Sequence, residues 1–335
     1  MRNVKGIAAT WLSLTELTNL NSGEGGSNLV DVKKFKYMNQ TYPYVSGQAM
    51  RAYLKESMRR SLSSSEYMCM PNAKGETCGD IQKCIQCDIF GYMIPKKKKV
   101  NKKNDNSNKD FGGDSVEEEI AGGADTRISP VKVAPAIGQF PFFDNSTLDF
   151  LTRRKPQEKA DERRGDIVNV ELGKNLYKCG LDIDIQRVGN NEEIDLNKRE
   201  LKFSKVIETE ESLSRIRKTL EALKYLSDYS KQARLLTDFT PDIICVSFQK
   251  RYSHRLQKLF ETQPPEATGV HLNTQRLVDT LSDILQYSES VFFGMMSGIV
   301  SPESERLIAE TLSKLDIALQ RPDQAIQSAI SMIRL

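Results

Sequence analysis

The segment Tyr42-Pro43-Tyr44-Val45-Ser46-Gly47-Gln48-Ala49-Met50-Arg51-Ala52-Tyr53-Leu54-Lys55 decides how this chain is read. Pro43 keeps the residues before it extended, Ser46 is a good N-cap, and Met50, Tyr53 and Leu54 recur at helical spacing. A helix therefore starts near Ser46. Arg51, Lys55 and Arg59 fall at i, i+4 and i+8, so they line one face of that helix just after its positive end. Two readings stay open: a surface that meets phosphates, or a solvated face with a core stripe behind it.

Outside this segment the composition is that of a soluble globular protein. The 335 residues are 28% charged and 39% hydrophobic, with a mean hydropathy of -0.48. Such a length allows one large domain with insertions or two domains, and a core that needs no disulfides. No apolar run reaches the ~18 residues of a membrane span, so no membrane partner is expected. The opening MRNVKGIAATWLSLTEL has no clear small-residue cleavage site and is expected to be a first strand. With six cysteines, four of them clustered, and no export signal, a reducing cytoplasm is the expected compartment.

The net charge of +3 hides an uneven distribution. Lys96 to Lys103 is a basic block, and Arg153-Arg154-Lys155 through Arg163-Arg164 is another. Acidic runs at Glu117 to Glu119 and Glu208 to Glu211 offset them. Local surfaces can therefore attract polyanions while the molecule stays nearly neutral.

Along the chain, residues 3–16 alternate as a strand, and Asn19 to Asn28 is a glycine-rich loop whose amides could cradle an anion or simply turn. Val30, Val32 and Phe35, interleaved with Lys33, Lys34 and Lys36, form a basic strand leading into the helix. Composition changes at Glu66. Cys69, Cys78, Cys84 and Cys87 follow as C-x8-C-x5-C-x2-C, and four thiolates of this kind can complete a tetrahedral zinc shell or remain ordinary reduced cysteines. Only two histidines occur, so a catalytic zinc with several histidine ligands is not expected. Residues 96–125 are too polar to order alone and read as a phosphate-seeking loop.

Further strands are expected at Thr126 to Val133 and, with a projecting basic hairpin, across residues 150–185. The Phe140 to Phe143 run reads as core or as a stacking surface, core being favoured, and Asp182 with Asp184, lacking a partner His, is assigned a structural role. A second helix is expected over Glu211 to Leu236, a central strand over Asp242 to Phe248, and helices over Leu272 to Leu285 and Ser301 to Ile333.

This order of strand, helix, strand, strand, helix, strand, with a long insertion after the first helix, is that of a ferredoxin-like RNA-recognition sheet. Five short motifs make the case specific. They are Asn19 to Asn28, Pro43 to Arg51, Cys84-x2-Cys87-Asp88-Ile89-Phe90-Gly91, Arg127-x-Ser129-Pro130, and Lys231-Gln232-Ala233-Arg234 with Thr237-Asp238-x-Thr240-Pro241. In this order they resemble the DevR branch of the Cas-seven family, of the RAMP superfamily, which supplies the backbone subunit of type I CRISPR Cascade complexes. The likeness covers about residues 1–255.

The resemblance implies an α+β fold, a modified ferredoxin-like palm with large insertions and a helical C-terminal part. Its palm would comprise residues 1–65, 127–143 and 179–335, its fingers 66–126, and its thumb a hairpin at 144–178. Several copies would polymerise along one CRISPR RNA (crRNA) beside other Cascade subunits, and target DNA would pair with the guide. The helix contacts to the RNA backbone carry over to Ser46, Gln48, Arg51 and Lys55. Asn19, Asn21, Gly23, Lys33, Arg127, Arg153, Arg154, Lys231, Gln232 and Arg234 complete the expected RNA-binding set, and the four cysteines the candidate structural zinc site. No catalytic residue is expected. The alternatives are a metal-dependent RNA-cleaving RAMP subunit and a DNA-binding regulator acting through the lysine block.

Overall fold

The opening alternation becomes β1 (Gly6–Thr18), a strand flanked on both sides and buried along most of its length. The computed structural model describes residues 3–20, 29–100, 118–153, 166–195, 198–229, 235–263 and 269–334. After β2 (Leu29–Val30), the strands β3 (Lys34–Tyr37) and β4 (Gln40–Val45) form a two-stranded ribbon. Its turn is made by Met38 and Asn39, whose φ values of 46° and 63° are the left-handed pair that a tight hairpin demands.

Helix α1 (Gly47–Arg60) begins where Ser46 Oγ accepts the Ala49 N–H at 3.3 Å. Met50, Leu54 and Met58, spaced by four, form its buried stripe. A cysteine-bearing segment then leads to the short α2 (Ile85–Phe90) and to the hairpin of β5 (Tyr92–Val100) and β6 (Glu118–Arg127). Next come β7 (Val131–Val133), β8 (Ala136–Gly138), β9 (Ser146–Arg153) and the long β10 (Asp166–Asp184), which pairs antiparallel with β9. A small hairpin of β11 (Asn190–Asp195) and β12 (Glu200–Lys205) precedes α3 (Thr209–Glu221) and β13 (Ile243–Gln249). The chain finishes with α4 (Thr274–Leu285), β14 (Ser288–Met295), α5 (Pro302–Lys314), β15 (Leu319–Gln320) and α6 (Pro322–Met332).

The main sheet runs β15-β14-β13-β1-β10-β8-β4-β3. β1 is antiparallel to both β10 and β13, so β1, α1, β8, β10, α3 and β13 follow the split βαβ order. Period-two alternation explains how helices cover both faces. Ala9 and Trp11 face the cluster containing Met50 and Leu54 of α1 and Ile216 and Leu220 of α3. Ala8 and Leu12 face Leu277 and Leu281 of α4 and Ile308 and Leu312 of α5. Covered on both sides, β13 is buried at every residue, as its continuous apolar run requires. The fold is α+β, with a large mixed sheet and the C-terminal helices included.

Several elements depart from the expectations. Residues 96–125 read as a loop, yet β5 continues to Val100 and β6 starts at Glu118, because the two segments satisfy each other's backbone groups in register from Val100–Glu118 to Tyr92–Arg127. The helix expected through Leu236 stops at Glu221, although Leu223 and Leu226 stay in the core. Beyond it, the Leu226 carbonyl accepts the Phe239 N–H at 2.8 Å, which holds the chain in an extended return. The stretch around Phe292-Phe293-Gly294 is a strand on β13, and the helix expected over Ser301 to Ile333 is two helices parted at Asp316, φ 56°, with Pro322 opening the second. Phe140 and Phe142 are buried and Phe143 is exposed.

The aspartate pair is also corrected: Asp182 does have a histidine partner. His254 Nδ1 hydrogen-bonds Asp182 Oδ2, and Gln257 Nε2 donates to Oδ1 at 3.3 Å, both delivered by the segment after β13. Asp184 pairs with Arg187 at 3.0 Å. The glycine-rich loop from Asn21 to Asn28, the lysines beyond Val100, the basic block from Arg154 to Arg164 and the Lys231 to Arg234 segment lie outside the described residues.

Candidate nucleic-acid interface and cysteine centre

The predicted cationic face of α1 meets α2. Arg51 Nη2 donates to the Phe90 carbonyl, and its guanidinium carbon lies 5.5 Å from the centre of the Phe90 ring. Lys55 Nζ lies 5.2 Å from the same ring centre. Arg59 donates to Glu56 at 2.9 Å and to Gln86 Oε1 at 3.1 Å. These side chains are half-buried, not freely solvated. Burial lowers the Arg51 pKa, and burial followed by the charges of Arg51 and Arg59 draws Lys55 down to about 8. A pair of crowded, desolvated cations is the arrangement that an incoming phosphate relieves. Ser46 and the exposed Gln48 stand at the N-terminal end of the same helix. Gly47 is required there, since a Cβ would come within 2.9 Å of the Val133 carbonyl.

Phe90 is held by what precedes it. The Asp88 side chain is fully buried and receives two arginines: Arg127 Nη2 at 2.5 Å and Arg215 Nη1 at 2.9 Å. The Gly189 N–H adds a third bond at 3.0 Å. Arg127 also donates to the carbonyls of Asp88, Arg187 and Asn190, and Arg215 to those of Ile81 and Gln82. Gly91 then turns the chain at φ 65°, where a Cβ would stand 2.3 Å from the Arg127 carbonyl. Thus Arg127, predicted to touch RNA, is engaged inside the protein and anchors α2, while α2 anchors Arg51 and Lys55.

Sequence reasoning missed Asp88 and Arg215. The signal for Arg215 was a charge set among Leu213, Ile216 and Leu220 on the buried face of α3. Asp88 stands in the Cys84 to Gly91 motif, but its buried pairing has no local signal, because its arginine partners lie 39 and 127 residues away.

The remaining predicted residues are dispersed. Asn19 is buried at the end of β1 and donates to the Val30 and Glu171 carbonyls at 3.1 and 2.8 Å. Lys33 is half-buried, and its carbonyl accepts the Tyr44 N–H at 2.9 Å. Arg153 is the last residue of β9, opposite Asp166. Asn21, Gly23, Arg154, Lys231, Gln232 and Arg234 lie outside the described residues.

The four predicted cysteines do converge. One sulfur from each of Cys69, Cys78, Cys84 and Cys87 lies within 4.8 Å of all the others. Cys87 Sγ is 3.7 Å from Cys69 Sγ and 3.5 Å from Cys78 Sγ. A tetrahedron with ~2.3 Å metal–sulfur bonds has edges of about 3.8 Å, so the donors are already near zinc spacing. The hydrogen bond from Cys87 draws the Cys84 thiol down, and Cys84 also accepts the Cys69 N–H at 3.3 Å. That bond raises Cys87 in turn, whereas burial raises Cys69. Three of the four are buried, with Cys78 at the surface. Among the described residues no helix is long and apolar enough to cross a membrane.

Comparison with solved structures places the whole chain in one fold. A chain of a "CRISPR RNA-guided surveillance complex" is 11% identical with a TM-score of 0.53, over 97% of this chain and 98% of that one. A chain of a "CRISPR RNA-guided surveillance complex, pre-nicking" is 10% identical with a TM-score of 0.54, over 98% and 100%. No curated protein matches. The sequence profile described as "CRISPR-associated negative auto-regulator DevR/Csa2" matches residues 12–252, and the chain belongs to that CRISPR-associated family.

Proposed function

We propose that this protein is a non-catalytic backbone subunit of a type I CRISPR surveillance complex, acting in the cytoplasm and binding crRNA through its phosphates. The observation that carries this reading is the pair Arg51 and Lys55, held over Phe90 on the helix that the Pro43 to Arg51 motif opens. Full-length likeness in fold to chains of RNA-guided surveillance complexes supports it.

In this reading the cations grip phosphates irrespective of base, while the guide reads target DNA by pairing. Adjacent copies and other Cascade subunits share the guide. The cysteines would hold a structural zinc: four thiolates close the shell and leave no open position for a reacting water. The words "negative auto-regulator" in the family description favour one rival, a DNA-binding regulator.

Charge reversal separates the two. Arg51→Glu and Lys55→Glu are expected to abolish copurification of RNA while the protein stays folded. Wild-type levels of RNA in both variants would sink the assignment, and a preference for duplex DNA over RNA would favour the regulator.

A further inference from the structure

The β3–β4 ribbon forms the outer end of the large sheet. Its register sorts the side chains: Phe35 opposes Tyr42 and Tyr37 opposes Gln40. Opposed residues share a face and successive residues alternate, so Lys33, Phe35, Tyr37, Tyr42 and Tyr44 stand on one side. The Phe35 ring stacks on Tyr42 with centres 5.8 Å apart, and meets Tyr44 edge-on at 6.0 Å.

Among the described residues, none of these four aromatics belongs to a hydrophobic cluster. Tyr37 is 57% exposed and the other three are half-buried. On the opposite face Pro43 is buried and Lys34 pairs with Glu171 and lies 4.6 Å from the centre of the Phe142 ring, while Lys36 is exposed. Of the three lysines in residues 33–45, Lys33 shares the aromatic face, Lys34 and Lys36 alternate to the other, and Asp31 precedes them by two residues. Beyond Val45 the strand runs directly into Ser46 and Gln48, so this face adjoins the N-terminus of α1.

Aromatic rings outside the core with Lys33 among them are suited to nucleobases: ring faces stack on any base, and a cation beside them takes a neighbouring phosphate. We propose that the Phe35, Tyr37, Tyr42 and Tyr44 face is a stacking platform for unpaired bases of single-stranded RNA entering the α1 site. This deepens the guide-binding function and rests on it.

The test titrates full-length protein with a fluorescent, unstructured single-stranded RNA at several salt concentrations. Tyr37→Ala with Tyr42→Ala should weaken binding about ten-fold or more, without changing the slope of affinity against salt. Tyr37→Phe with Tyr42→Phe should bind as wild type, because the rings remain. Ultraviolet crosslinking of the wild-type complex should attach RNA to peptides bearing Tyr37 or Tyr42, an outcome that does not depend on how the alanine variant folds.

Equal binding by wild type and the alanine variant, or crosslinks only elsewhere, would overturn the platform and leave the guide-binding function intact. A wild-type protein that binds no RNA would bring down both. Lost self-association with unchanged RNA affinity would assign the face to contact between copies and overturn the proposal.

Discussion

Arg215 Nη1 lies 2.9 Å from Asp88 Oδ2 in the interior of the protein, and Arg127 holds the other carboxylate oxygen. This pair joins α3 to α2, and through Phe90 to the cations of α1. Because the charges are buried, removing Asp88 leaves Arg127 without this counter-charge and Arg215 with the exposed Glu211, 2.9 Å from its Nε. Asp88→Ala should cost about 3–5 kcal/mol of stability in urea titration. A cost below about 1 kcal/mol, within the range of exposed pairs, would contradict the structural role.

The cysteine centre makes a prediction of composition. Elemental analysis of purified protein should find about one zinc per chain, the stoichiometry of a four-thiolate shell. Cys84→Ser should lower that content and loosen the module around Cys69 and α2, detectable as faster amide exchange there. A stable, metal-free protein would leave the cysteines as ordinary reduced thiols.

Lys55 predicts a pH dependence with a definite sign. Its folded pKa, about 8, lies below the unfolded value, so the fold disfavours its charged form. The resulting penalty is present below pH 8 and is relieved as pH rises from about 8 toward the ordinary lysine value near 10.4, a window in which stability should gain. RNA affinity should move the other way, weakening as pH rises through 8 because the free protein loses that charge. Lys55→Arg should flatten the affinity profile between pH 7 and 9. Identical profiles for wild type and variant would remove Lys55 from the phosphate site.

The aspartate–histidine contact can be tested by deletion. Burial raises the Asp182 pKa, and the hydrogen bond from His254 opposes that shift. His254→Ala should therefore raise the Asp182 pKa further, measurable by carboxyl carbon resonance during acid titration. An unchanged titration would mean that the contact carries no weight in solution.

Local signals in the sequence were reliable where structure is local. Ser46 caps α1, Met50 and Leu54 are its buried stripe, and Ile243 to Phe248 is the covered strand. The four cysteines were legible as donors by residue type, although their convergence depends on the tertiary path. Non-local pairing was not legible. The strand Ser288–Met295 becomes one only against β13, and Lys96 to Val100 only against β6. The same holds for function: Arg127 has the charge of an RNA contact, but a buried aspartate 39 residues away determines its place.

Sequencing the RNA that copurifies with full-length protein expressed beside a CRISPR array decides whether this chain binds a guide. A guide-binding subunit yields reads concentrated on repeat-flanked spacers and absent from preparations of the Arg51→Glu, Lys55→Glu double variant. Cellular RNA without spacer enrichment, or equal recovery from the variant, would contradict guide binding.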